Sequence, residues 1–253
     1  MPASPTPDQT LPDQTLPDQP LPDRSSPVGP PRDLEALHPP FALRVRSGPL
    51  TLRVLADRDL PEYAELLRRP IFADPDAPHV FPWYARPEQE RIREAVRFQW
   101  RLRSELSPES WSLTLGIWAD GRLIGCQDVN GKQFAVRRTV TSGSWLTRDM
   151  QGRGYGGLMR RAVLVLAFDH LGAVRAESAA VVGNERSYGV SRSCGYVDNG
   201  TEIVEQNGRA VEHQRFLVTP QTFRRGSRSV EVEGLTPELR ALLGAPPAGA
   251  ASI

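Results

Sequence analysis

The stretch from Thr139 to Gly172 limits the possible folds more than any other: a short alternating strand runs into Gln151-Gly-Arg-Gly-Tyr-Gly-Gly157, which opens directly into an apolar helix ending near Gly172. A strand-to-helix junction this rich in glycine leaves the first amide N–H groups of the helix bare, with the helix dipole behind them, and so suits a phosphate or diphosphate. A tight turn needing positive φ is the plainer reading of the same residues. Gly152, Gly154 and Gly157 also satisfy the letter of G-x-G-x-x-G, with Glu177 where a dinucleotide fold places its ribose-binding acid. That fold, however, needs an apolar parallel strand running straight into the first glycine and further βαβ units. Here Thr147-Arg-Asp-Met-Gln151 intervenes and the preceding strands are hairpin-linked.

Around the junction the periodicity is legible. Thr51 to Leu55 predicts a strand, and Asp57 the cap of a helix in which Leu60, Tyr63, Ala64, Leu66 and Leu67 recur at helical spacing. Residues 70 to 86 read as a loop of prolines and aromatics. Pro87 then opens a helix to about Leu106, with Ile92, Val96, Trp100 and Leu102 to Leu106 on its apolar face. Trp111, Leu113, Leu115 and Ile117 alternate with polar or small residues, and Asp120-Gly121 supplies a hairpin turn before a strand reaching Val129. A second turn near Asn130 and Gly131 precedes one strand from Thr139 to Thr147. A strand from Val174 to Val182, a helix from Asn184 to Cys194 and two strands around Asn207-Gly208 complete the order. The sum is an α+β fold with a mixed, mostly antiparallel sheet flanked by helices.

The ends differ from the middle. Residues 6 to 25 repeat TPDQT, LPDQT, LPDQP, LPDRS, and half of the 24 prolines lie in the first 40 residues. Prolines block regular structure and the few leucines bury too little to offset ordering, which predicts a disordered tail over 1–40 and a folded domain over 41–223. Residues 224–253 read as a second tail, an appendage in which Thr236, Pro237 and Gly244 bracket one short helix. The net charge of +1 offers no footprint for nucleic acid or an acidic membrane. Cys126 and Cys194 fit no metal or CxxC spacing, so reduced thiols and no metal are expected. With no apolar run of roughly 18 residues and no signal-peptide pattern, the cytoplasm is the expected location.

Gln151, Gly154 and Gly156 match the Gln/Arg-x-x-Gly-x-Gly/Ala signature of GNAT acyltransferases, and the match extends to Asn184, Ser187 and the pair Gly195-Tyr196. From about Leu52 to Phe216 the chain resembles the RimJ/RimL-like branch of ribosomal-protein N-terminal acetyltransferases, and Gly143-Ser-Trp-Leu146 and Gly189-Val-Ser-Arg192 fit that style. The resemblance implies a splayed strand pair, a V-shaped opening between the strand ending at Thr147 and the strand from Val174. Acetyl-CoA or another acyl-CoA would be the cosubstrate and an amine the acceptor, with succinyl rather than acetyl transfer as an alternative the resemblance also implies. Backbone groups near Leu146 would hold the pantetheine arm. Gln151, Gly152 and the amides of Arg153, Gly154, Tyr155, Gly156 and Gly157 would grip the pyrophosphate, with Asn184 nearby and Arg148 and Arg153 as charge partners or as solvated surface arginines. Dimers are common among similar proteins, so a homodimer is among the assemblies implied.

Amine attack on a thioester requires a neutral amine and a stabilised thiolate. In many relatives a tyrosine on the last helix serves the thiolate; its place here is taken by Ser191, which leaves open a degenerate acyl-CoA-binding module without transfer activity. Ser187 matches a serine of the RimL-like branch and is the first choice for the thiolate contact, although Asn184 and Ser187 are equally good local caps. Glu177 is the candidate base, or an outward solvated glutamate, with Asp128 in reserve. Tyr188 and Cys194 read as packing. His79 reads as a loop residue, and His170 as the last turn of a helix, where a cation is welcome. Phe81, Trp83, Tyr84 and Trp100 either floor an acceptor pocket or pack the core between the early helices.

Overall fold

Short turns join most consecutive strands, and strands joined that way pair antiparallel. β1 (Arg44–Ser47) and β2 (Leu50–Val54) flank Gly48. β3 (Ser110–Ala119) and β4 (Arg122–Lys132) flank Asp120 and Gly121, whose φ values of 50° and 74° are those a type I′ turn requires. β5 (Thr139–Thr141) and β6 (Ser144–Leu146) both pair with β4, and β7 (Arg175–Val181) with β9 (Arg209–Val218), which β8 (Val197–Gln206) precedes. β10 (Glu231–Glu233) returns to β1. The order is β10-β1-β2-β3-β4-β5-β7-β9-β8, and only β5 and β7 run parallel. This computed structural model describes residues 34–72, 81–206, 208–247 and 249; the repeat of residues 6–25, His79 and Asn207 lie outside them.

Helices cover both faces. Seven are described: α1 (Leu34–Leu37), α2 (Leu60–Leu66), α3 (Glu88–Ser104), α4 (Phe134–Arg137), α5 (Tyr155–Val165, continued by a π-turn Leu166–His170), α6 (Glu185–Ser193) and α7 (Pro237–Leu242). On one face Leu113, Leu115, Ile117, Val140 and Ala176 pack with Val163, Leu164, Phe168, Tyr188 and Leu239. On the other, Tyr63, Leu66, Ala95, Trp118, Cys126 and Trp145 form a second cluster under α2 and α3.

Several expectations change. Asp57 does not cap α2; it accepts from Trp100 Nε1 at 3.1 Å and from Arg103, and no side chain caps that helix, while Asp59 closes the turn before it by accepting from Ala56 N–H at 2.8 Å and pairing with Arg53. Trp100 is thereby half-exposed and off the buried face of α3. Asn130-Gly131 is no turn: β4 runs through it, because the ring of Trp111 lies where a Cβ at Gly131 would be, 2.3 Å away. Glycine here marks a close approach rather than a reversal. The strand Thr139 to Thr147 is interrupted at Ser142-Gly143, although both halves keep one register with β4.

The segment from 224 onward does contain the expected helix, with Thr236 Oγ accepting from Leu239 N–H at 3.2 Å, but it is no appendage. Trp111 Nε1 donates to Leu243 O at 2.9 Å, and Leu239 and Leu243 are fully buried. His170 also departs from expectation: burial first, then the charge of Arg240, hold its pKa below the usual value, and Arg240 itself donates to His170 O at 2.5 Å. The cation at that helix end is the arginine. Truncating Leu239 to alanine should cost about 2–5 kcal/mol of unfolding free energy in urea; a loss below about 1 kcal/mol would show that α7 is peripheral.

Candidate functional site

Among the described residues the sheet opens at one place. β5 and β7 stay paired from Thr139↔Arg175 to Thr141↔Glu177, and Ser142 N–H still donates to Glu177 O at 3.0 Å. Beyond that bond β6 keeps only β4, and β7 keeps only β9. Successive residues of a strand direct their amides to opposite sides. Thr147 N–H donates to Ile124 O on the β4 side at 3.0 Å, so Leu146 N–H faces the opening. Leu146 O is capped by Gln151 Nε2 at 2.9 Å, which also reaches Ile71 O at 2.7 Å. The Gln151 side chain therefore braces the junction against two carbonyls, and its Oε1 accepts from Arg186 at 3.1 Å.

At the head of the opening the glycines serve different ends. Gly152 and Gly154 have φ of 76° and 80°, and a Cβ on either would meet nothing within 4 Å. Gly154 is the residue before α5 and no side chain caps that helix, so the amides of Tyr155 and Gly156 stand bare over open space. Gly156 instead lets α6 approach, its absent Cβ lying 3.1 Å from Val190 Cγ2, and Gly157 makes room for Arg161. The sequence pattern treats these four glycines alike; the structure separates two that border open space from two that serve packing. Arg153 is exposed beside them, and exposed Arg148 lies at a shallow surface shared with Arg69, Pro70 and Asp149. This cradle fits the diphosphate of coenzyme A.

Glu177 is the last residue of β7 paired across to β5 and shares a sheet face with Thr141 and Asn130, its cross-strand neighbours, and with Asp128 two residues along β4. Its carboxylate pairs with Arg175 Nε at 2.7 Å. Asp128 accepts from Asn130 Nδ2 at 2.9 Å and lies against Gly143, where a Cβ would come within 3.0 Å of its Oδ1. Burial pushes the Asp128 carboxyl above its ordinary value, while the Asn130 hydrogen bond and the charge of Arg160 oppose that rise. On this same face a cavity of about 370 Å³ is lined by Phe98 and Leu102 of α3 and by Asn130, Lys132, Arg137 and Thr141.

On α6, Asn184 Oδ1 accepts from Ser187 N–H at 3.1 Å, so the side chain of Asn184 is a helix cap. The half-buried Ser187 hydroxyl makes no hydrogen bond among the described residues. Ser191 is fully buried with an unpartnered hydroxyl, and Tyr188 packs on Phe216 at 5.1 Å. Cys194 is core, and burial raises its thiol pKa, which leaves it no nucleophile. Phe81, Trp83 and Tyr84 form an aromatic cluster with Phe72 and Trp145, the packing alternative, and the cavity is walled by Phe98 instead. Sequence reading missed Arg160, 3 % exposed, whose guanidinium reaches Ser178 Oγ at 3.1 Å and Ser144 Oγ at 3.2 Å. Its signal was a charge set at helical spacing between Gly156 and Leu164 of an otherwise apolar stripe.

Residues 49–197, well over half of the chain, match the family described as Acetyltransferase (GNAT) domain. The chain belongs to that GNAT family. As such it is an acyl-CoA-dependent N-acyltransferase. It is similar to the "Putative ribosomal N-acetyltransferase YdaF" of Bacillus subtilis (strain 168), 25% identical over 156 residues that make up 60% of this chain and 79% of the relative. Among solved structures, Mycobacterium smegmatis RimJ in complex with CoA-disulfide has a TM-score of 0.57 at 18% identity, covering 72% of this chain and 88% of the other. Spermidine N-acetyltransferase of Vibrio cholerae in complex with CoA and spermine has a TM-score of 0.53 at 17% identity, covering 69% and 97%. The chain thus shares its fold with RimJ. None of the described helices is long and apolar enough to cross a membrane.

An aspartate held above its usual value adds most stability below its unfolded pKa of about 3.9, and that contribution disappears as pH rises through the folded value. The Asp128→Asn variant cannot ionise, so its stability relative to the wild type should increase from about pH 4 towards neutrality. A pH-independent difference in urea unfolding would show that Asp128 is not held up.

Proposed function

We propose that the protein transfers an acyl group from acyl-CoA directly to a primary amine, that of a protein N-terminus or of a small molecule. The observation that carries this reading is the bare, left-handed Gly152–Gly154 junction at the head of the one opening in the sheet. Amides at the start of α5 bind the diphosphate, and Leu146 N–H, directed into the opening, receives a carbonyl of the arm or the thioester. The acceptor enters from the α3 face through the cavity lined by Phe98 and Thr141. There Glu177, directly or through water, takes the proton of the amine, with Asp128 as the alternative base on the same face. The amine nitrogen bonds to the thioester carbon, the C–S bond breaks, and the electron pair leaves on sulfur. Ser187, free of competing hydrogen bonds, stabilises that thiolate, which departs as the thiol after gaining a proton.

Gly154→Glu places a negative side chain at the diphosphate and should weaken coenzyme A binding about 100-fold or more in calorimetry, the scale of a like-charge contact. Gly154→Asn, which tolerates the left-handed backbone, controls for strain. Unchanged affinity in the glutamate variant would sink the loop assignment. Glu177→Gln should cut turnover by about 10²-fold with coenzyme A binding kept, as loss of a general base does, and Ser187→Ala should reduce it less. Wild-type turnover in both would remove these roles.

One observation favours a second reading, an acyl-CoA-binding module without transfer activity. The tyrosine position of the last helix holds Ser191, and its hydroxyl is buried in the core. Tight coenzyme A binding with no transfer across a broad amine panel would select that reading.

A further inference from the structure

Arg160 has no anion. Projecting from the second turn of α5, it is 3 % exposed, and its two hydrogen bonds go to neutral hydroxyls, Ser178 on β7 and Ser144 on β6. It spans the two arms of the opening on the α5 face. Among the described residues no carboxylate lies within ion-pair distance of it; Asp128 feels its charge but belongs to the opposite face of the sheet. A buried ion costs several kcal/mol after relaxation, and two hydroxyls do not neutralise it. The guanidinium carries five N–H donors, and Nε is left without a partner.

The unsatisfied groups around it share one property. Ser142 Oγ and Tyr196 Oη are both buried without a partner, and the Tyr196 hydroxyl faces Ser142 and Arg160, whose guanidinium lies 5.6 Å from the ring centre. Each can donate, as Arg160 Nε can. The two hydroxyls can also accept, and Gln127 Oε1, opposite Ser144, can only accept, but all three are neutral. A buried cation between the two arms of the opening, with a spare N–H and hydroxyl donors beside it and no anion among the described residues, is the complement of a carboxylate.

Resting on the acyl-transfer reading, we propose that Arg160 receives the terminal carboxylate of the acyl group, so that the preferred donor is a dicarboxylic acyl-CoA thioester rather than acetyl-CoA. The side of approach identifies the owner of the carboxylate. Arg160 belongs to the same helix as the diphosphate amides, whereas Glu177, Asp128 and the cavity walled by α3 occupy the other face. An anion reaching Arg160 arrives with the carrier and not with the acceptor.

The test needs no acceptor. Calorimetry on the full chain compares coenzyme A, acetyl-CoA and succinyl-CoA, then repeats the series with Arg160→Met. The wild type should bind succinyl-CoA about tenfold or more tightly than acetyl-CoA, the scale of a charge-assisted bidentate contact. The variant should lose that preference while keeping its affinity for acetyl-CoA. Equal affinities of the wild type for the two thioesters would overturn this inference while leaving the acyl-transfer reading standing. A variant that weakens all three ligands alike would also overturn it, placing Arg160 on the pantetheine arm. Failure of the wild type to bind any of the three would remove both readings together. The wild-type comparison decides the matter even if the variant does not fold.

Discussion

The separation of β6 from β7 after the bond between Ser142 N–H and Glu177 O is the constraint to which the other parts of the site answer. Parting two strands inside a sheet leaves main-chain donors and acceptors facing a gap, and a buried unpaired amide or carbonyl is costly. The chain meets part of that cost locally. Gln151 Nε2 satisfies Leu146 O, Tyr188 Oη accepts from Gly183 N–H at 3.1 Å beyond the end of β7, and Arg160 ties the arms together through Ser144 and Ser178. The Leu146 amide, turned into the opening by the alternation of β6, is the group the proposed reading gives to a ligand. A fully paired sheet would be more stable and would have nothing to bind with.

Holding the arms apart needs material on both faces. On the α5 face Ala176, Ala180 and Val140 are small or branched, so the helix lies close to the strands, and Gly156 lets α6 approach α5. On the other face Trp145 of β6 stacks 5.8 Å from Trp83 and 6.5 Å from Tyr63, fixing that arm to α2 and the aromatic turn. The opening is thus a packed shape with its own supports. It also divides the candidate groups, since Asp128, Glu177 and the cavity lie on the face away from α5. On the proposed reading, donor and acceptor meet where the strands part.

What the sequence made legible followed from local rules. Asp120-Gly121 announces its hairpin because few residues accept two consecutive positive φ angles, and the glycines before α5 stand out for the same reason. The short elements α1, β1, α4 and β10 escaped, α1 within the stretch 1–40 expected to be disordered, because each runs only three or four residues, too few to display a period. Gly131 misled because local sequence cannot distinguish a glycine that reverses the chain from one that admits an indole ring across a strand pair. The tail misled for a related reason: its helix is too short to display a period, and only the tertiary contact with Trp111 shows what its two buried leucines cover. Around the site, the strand-to-helix junction was readable from its glycines, whereas the different surroundings of Gly152, Gly154, Gly156 and Gly157 depend on α6 and Arg161, elements remote in the chain.

Arg160 shows where periodicity stops being informative. A helix that is buried on one stripe ordinarily fills it with apolar side chains, and Met159, Val163 and Leu164 do so here. An arginine in that stripe destabilises the helix-to-sheet contact unless its charge is answered, and neutral hydroxyls answer only its hydrogen-bonding demand. Two nearby hydroxyls, on Ser142 and Tyr196, are themselves unanswered, so the local polarity is not a closed network. A half-satisfied buried network is worse for folding than an apolar core of the same volume. A purely structural latch across the strands would gain from a carboxylate of its own or from an apolar replacement. The cluster has neither, and it sits at the end of the opening where a bound group would complete it.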